Sequence, residues 1–109
     1  MGLFDFVRRD PAAYTAPSGV PSPDDPHELA LYKFDGCPYC QRVLRVLKGL
    51  PVEVELRDTM RDATHRRGLL EKTGRTQVPC LFIGEYALFE SEDISRWLEA
   101  YAVRGGAAS

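Results

Sequence analysis

With three cysteines in 109 residues, the sequence has too few, and an odd number, for a closed disulfide framework. Small secreted scaffolds carry an even, scattered set; here Cys37 and Cys40 are two residues apart and Cys80 lies forty positions further on. No apolar run approaches the ~18 residues that read as a membrane span. Basic charge is not in excess, with 14 Lys and Arg against 16 Asp and Glu, so the electrostatic footprint of nucleic-acid binding is missing. The N-terminus lacks the long apolar core and small-residue cleavage site of a secretory signal. Position 6 is Phe where a myristoylation motif wants Ser or Thr. The expectation is a cytoplasmic monomer with no nucleic-acid partner and no membrane span. In a reducing compartment a close cysteine pair points to redox chemistry or to a metal.

The length suits one domain with a modest core. Five of the eight prolines (Pro11, Pro17, Pro21, Pro23 and Pro26) fall in the first 26 residues. That composition sustains neither helix nor central strand, so residues 1–27 read as a proline-rich N-terminal arm, extended over 10–27, and 28–104 as the folded domain. Ahead of the prolines, Leu3, Phe4, Phe6 and Val7 suit about two apolar turns. Such a segment is short for a membrane-touching helix, and a peg on the domain's own surface or a disordered end fits better.

Residues 29–34 form a β-compatible apolar run bounded by Asp35-Gly36. From Pro38 the period changes: Val43, Leu44, Val46 and Leu47 lie on one helical stripe, stopped by Gly49 and Pro51. Residues 52–57 alternate as a strand with one buried face. Residues 60–73 suit a charged surface helix resting on Leu69 and Leu70 and closed by Gly74. Residues 79–83 and 86–89 flank Gly84-Glu85, the size of a hairpin turn. Ser91 fits an N-cap, and Ile94, Trp97, Leu98 and Tyr101 repeat at helical spacing, with Gly105-Gly106 ending the helix. The order β-α-β-α-β-β-α, with a right-handed crossover joining the first two strands, predicts an α/β sandwich. Its mixed four-stranded sheet would carry about three helices on its two faces.

Gly36-Cys37-Pro38-Tyr39-Cys40 falls where the first strand meets the first helix. Free N–H groups and the dipole at a helix start stabilise an anion, and cysteines in such motifs titrate anywhere in about 3.5–7.5 against about 8.5 for a free thiol. Proline is tolerated in the first turn because its missing N–H would have no partner there. A two-residue gap brings both sulfurs within reach of one disulfide. Cys37, at the tip, is the expected attacking thiolate, and Cys40, one turn in and more buried, the expected resolving thiol. A structural zinc needs four ligands, and only Cys80, His27 and His65 remain, so no metal is expected. A purely structural disulfide is less fitting still in the cytosol.

With strand, CPYC, helix and Val78-Pro79 in view, residues 28–103 resemble a glutaredoxin of the thioredoxin-fold superfamily. Gly74-Arg75-Thr76-Gln77-Val78-Pro79 is similar to the family's segment leading to a cis-proline. The resemblance implies that Val78 presents its backbone to the cysteinyl part of glutathione. Glu90-Ser91-Glu92-Asp93-Ile94 is also similar to the Glu-Ser-x-x-Ile pattern of glutathione S-transferase N-terminal domains. Carried over, Glu90 meets the ammonium of the γ-glutamyl group, and Ser91 with the helix-start N–H groups meets its carboxylate. Dithiol glutaredoxins often place a lysine three residues before the first cysteine; here that residue is Phe34. The resemblance then assigns glutathione's glycine carboxylate to Lys33, with Arg75 or Gln77 as substitutes, and lets Tyr39 flank the tripeptide. Cys80 is expected to point into the core as a small apolar residue.

The implied activity is glutathione-dependent reduction of protein disulfides or glutathione mixed disulfides, with glutathione as co-substrate. The implied partners are disulfide-containing or glutathionylated proteins. Two alternatives stand beside it: a protein that ligates an iron–sulfur cluster with glutathione, and a thioredoxin-like reductant that does not use glutathione. A transferase is disfavoured, because no helical second domain follows to hold an electrophile.

Overall fold

A computed structural model describes residues 10–104; the expectations for Leu3 to Val7 and for Gly105-Gly106 lie outside the described residues. Strand β1 (Leu29–Lys33) leads through helix α1 (Pro38–Lys48) to β2 (Glu55–Asp58). Helix α2 (Ala63–Thr73) leads to a hairpin of β3 (Cys80–Ile83) and β4 (Tyr86–Phe89), and α3 (Ser91–Val103) follows. The sheet order is β2-β1-β3-β4, parallel between β1 and β2 and antiparallel elsewhere. This is a thioredoxin-like α/β fold.

The central strand β1 is buried on both sides, which is why it reads as a continuous apolar run rather than an alternating one. Leu29 and Leu31, with Leu81 and Ile83 of β3, meet Val43 of α1 and Ile94, Trp97 and Leu98 of α3. On the opposite face Ala30, Tyr32, Cys80 and Phe82 meet Leu69 of α2. Gly84 takes a left-handed φ of 60° in the two-residue turn between β3 and β4, where glycine carries no steric cost.

Two boundaries and one burial differ from the sequence expectations. Parallel pairing begins at Ala30 opposite Glu55, so Val52 and Val54 pack against the core before the ladder starts. Asp62 caps α2, accepting from the Thr64 N–H at 2.9 Å, so that helix starts later than residue 60. Leu69 is fully buried, whereas Leu70 is 46% exposed: consecutive residues of a helix point about 100° apart, and α2 directs Leu69 at the sheet.

Residues 10–27 lie along α3 as a strap. Its own backbone bonds are few, among them a single 3-10 turn over Pro11–Ala13 capped by Asp10, and α3 and its C-cap supply further partners from their side chains. The Trp97 indole donates to the Pro21 carbonyl at 2.8 Å. The Tyr101 hydroxyl accepts from the His27 N–H at 3.0 Å and donates to the His27 carbonyl at 3.3 Å. Arg104 forks onto both Asp24 oxygens at 2.7 and 3.0 Å and also donates to the Tyr14 carbonyl. Pro23 is among the fully buried side chains. Among the described residues no helix is long and apolar enough to cross a membrane.

Leu69→Ala is expected to lower the unfolding free energy by about 2–5 kcal/mol, and Leu70→Ala by no more than about 0.5 kcal/mol, in urea titrations. Arg104, bonded to Asp24, holds that carboxyl below its usual value. The strap's tie therefore stabilises the fold above the ordinary carboxyl value of about 3.9 and is lost as pH falls through the lowered one. Asp24→Asn should accordingly be less stable than wild type at pH 7, with the difference vanishing toward pH 2.

Candidate active site

Cys37 follows the Asp35-Gly36 turn at the end of β1 and occupies the N-cap of α1, with Pro38 as the first helical residue. A proline there is pre-set for the helix and withholds no needed donor. The Cys37 sulfur accepts from the Cys40 backbone N–H at 3.4 Å, an interaction strengthened when the sulfur is anionic. Its thiol faces the Val78 carbonyl at 4.0 Å. Cys37 is less open than a loop tip suggests, at 7% exposure, and Cys40 is at 0%. Burial pushes the Cys40 thiol up, opposed by the Phe34 backbone amide and, more weakly, by the Lys33 charge.

Tyr39, Gln77, Val78, Pro79, Glu90 and Ser91 line one cleft of about 340 Å³. The Val78–Pro79 peptide bond is cis. Tyr39 stands at the cleft with 63% of its surface exposed. The entry to α3 corrects one expectation: Ser91 is the first helical residue, and the N-cap is Glu90, whose side chain makes no capping bond. Glu90 adopts φ 75°, a left-handed conformation that costs a non-glycine residue about 1–3 kcal/mol. Freed from capping, its carboxylate accepts from the Gln77 amide at 3.4 Å. Gln77 in turn accepts from Arg75 at 3.1 Å, and the Arg75 guanidinium lies 4.2 Å over the Phe89 ring.

Lys33 is not brought to this cleft. Its ammonium donates to Asp35 at 2.8 Å and to Asp58 at 3.4 Å. Its acid strength is weakened first by the Asp35 bond. The parallel register sets Lys33 beside Asp58, and Asp58 is anchored by the Arg61 and Met60 N–H groups, both at 2.9 Å. Sequence reasoning missed Asp58, because its partnership depends on strand register rather than on any local motif. Cys80 is buried with Tyr32, Leu69 and Phe82, and burial pushes its thiol up to about 12. Among the described residues no group of three or more His, Cys, Asp or Glu side chains could hold a metal ion.

The sequence pattern of the glutathione S-transferase N-terminal domain family matches residues 31–104. The chain belongs to this family. Among solved structures, an epsilon-class glutathione S-transferase from the housefly, Musca domestica, is similar at 25% identity and a TM-score of 0.58, over 69% of this chain and 35% of that one. The chain thus spans about a third of that protein's length. Reduced glutaredoxin C1 from Populus tremula x tremuloides is similar in fold at 19% identity and a TM-score of 0.56, over 74% of this chain and 81% of that one. A glutaredoxin from Archaeoglobus fulgidus gives 21% identity and 0.54, over 72% and 88%. A comparison with curated proteins finds no match.

In this glutaredoxin-like member of the family burial pushes the Cys40 and Cys80 thiols up to about 12, and Cys37 alone of the three keeps some exposure. A thiol at about 12 is ionised to less than about one part in ten thousand at pH 7.5, and only the thiolate reacts. Iodoacetamide at pH 7.5 is expected to modify Cys37 alone in the native protein. Cys40 and Cys80 should react only after unfolding, as read by peptide mass mapping.

Proposed function

We propose that the protein is a glutathione-dependent thiol–disulfide oxidoreductase that reduces glutathione mixed disulfides and protein disulfides. Membership of a glutathione-using family points to glutathione-related chemistry. The observation that supports the finer reading is the cleft beside Cys37, which Gln77, Val78, Glu90 and Ser91 line together. Glu90 would meet the γ-glutamyl ammonium, and the α3 N-terminus with Ser91 would meet its carboxylate, because a helix start favours an anion. The Val78 backbone would pair with the cysteinyl residue. Arg75, set over Phe89 beside Gln77, takes the glycine carboxylate in place of Lys33, which its two aspartates hold elsewhere.

The Cys37 thiolate attacks the glutathione sulfur of a mixed disulfide, forming a Cys37–glutathione disulfide and expelling the substrate thiolate. A second glutathione thiolate then attacks that disulfide, giving oxidised glutathione and restoring Cys37. Alternatively, the Cys40 thiolate expels glutathione and forms a Cys37–Cys40 disulfide, which two further glutathiones reduce. Exchange proceeds only through thiolates, and burial keeps Cys40 protonated at neutral pH. The glutathione-resolved route is therefore favoured for mixed disulfides.

Turnover of a glutathionylated peptide with glutathione as reductant separates the routes. Cys37→Ser is expected to fall to background and Cys40→Ser to retain a substantial fraction of wild-type activity. Equal loss in both variants would instead favour a thioredoxin-like dithiol mechanism.

A further inference from the structure

The outward side of α2 carries side chains that the fold does not use. Leu70 leaves 46% of its surface exposed, and Arg66 and Arg67, four and three positions earlier, are both exposed. Residues three and four apart are neighbours on a helix, so the three form one patch, an apolar centre edged by two guanidiniums. Neither arginine has a hydrogen bond, ion pair or ring partner among the described residues. Both stand in the first half of α2, toward its positive end, where the helix dipole gives a cation no support. Fold stability accounts for none of the three.

The charge there is local. Residues 59–77 hold five Lys and Arg against two acids, in a chain whose acids outnumber its Lys and Arg by 16 to 14. Asp62 is occupied as the α2 cap and lies 3.6 Å from His65, which leaves Glu71 as the acid on the helix itself. Of the five cations, Lys72 lies 5.2 Å over the Phe82 ring, and Arg75 meets Phe89 and Gln77. Arg61, at the entry to α2, reaches Asp35 at 3.4 Å, so the helix begins beside the turn that carries Cys37. At 1.5 Å per residue the patch follows about 5 to 11 Å along α2 from Ala63.

We propose that this patch docks an acidic segment of the protein whose mixed disulfide is reduced, its carboxylates meeting Arg66 and Arg67 and an apolar side chain meeting Leu70. The proposal rests on the oxidoreductase reading above. The planar fork of an arginine suits a carboxylate, and arginine is enriched at protein interfaces. Two open cations beside Glu71 are few for a nucleic acid, whose binders typically make about six or more phosphate contacts.

The test uses glutathionylated peptides with a central cysteine and two arms of seven residues, built from Glu and Leu or from Gln and Leu. Each extended arm reaches about 23 Å, in either direction from Cys37. Wild type is expected to prefer the Glu peptide by about fivefold in kcat/KM at low ionic strength, and by less at high salt. The double variant Arg66→Gln, Arg67→Gln should lose that preference. It should keep wild-type turnover of the mixed disulfide of glutathione and β-mercaptoethanol, which is too small to reach α2. Where this small substrate turns over, a wild type that treats the two peptides alike, or a preference that survives in the double variant, would overturn the proposal. Where it does not, the oxidoreductase reading fails instead, and docking is read from nitrogen–proton spectra of the labelled protein with the unmodified peptides. Shifts of the Arg66, Arg67 and Leu70 amides with the Glu peptide alone support it. Equal or absent shifts, or shifts with a single-stranded oligonucleotide in place of the Glu peptide, overturn it.

Discussion

Burial of β1 on both faces is the constraint from which the rest of the molecule follows. Leu31 and Tyr32 are turned to opposite sides and both are shut off from water, so neither face of the sheet can be left uncovered. Helices α1 and α3 must close one side and α2 the other. Once α1 is held against the sheet by Val43, its first turn has no freedom left. It begins where β1 ends, and Cys37 stands at that junction with a backbone N–H directed at its sulfur. The position of the Cys37 thiol is thus a consequence of core packing rather than of a dedicated loop.

The same packing makes the cysteines unequal. Moving three residues into α1 carries Cys40 from the helix end into the layer between helix and sheet, where a thiolate loses its water. Cys80 goes further, into the opposite core. Cys37 is the one sulfur of the three that combines some access with a helix-end donor. The cleft beside it is assembled from segments far apart in the chain: the first turn of α1, the segment before β3, and the junction of β4 with α3. Its residue of positive φ, Glu90, gives up the ordinary capping role and presents a carboxylate to Gln77 instead.

Charge is arranged with similar economy around the β1 and β2 ends. Lys33 is spent on Asp35 and Asp58, while Arg75 is bonded to Gln77 of the cleft and held over Phe89. At the far side, Arg104 fastens the strap to α3, and Trp97 and Tyr101 give the strap's carbonyls the donors that its prolines cannot provide. The arm that looks featureless in sequence is therefore a cover for the outer face of α3.

The seven elements, their order and the CPYC helix start were legible in the sequence because each rests on short-range physics. Short apolar runs marked the strands and period-3.6 stripes the helices, Gly84-Glu85 marked the hairpin, and the Val78-Pro79 segment carried the family likeness. Where expectation failed, the deciding partner was distant. Asp58 captured Lys33 through strand register, the β1 ladder shortened β2, and the sheet selected Leu69 over Leu70. Likewise the strap's attachment to Trp97 and Arg104 joins residues more than seventy positions apart. By itself the sequence determined which segments fold and which sulfur begins a helix. Only the tertiary structure decided which side chains meet, because register and convergence depend on groups that local pattern cannot relate.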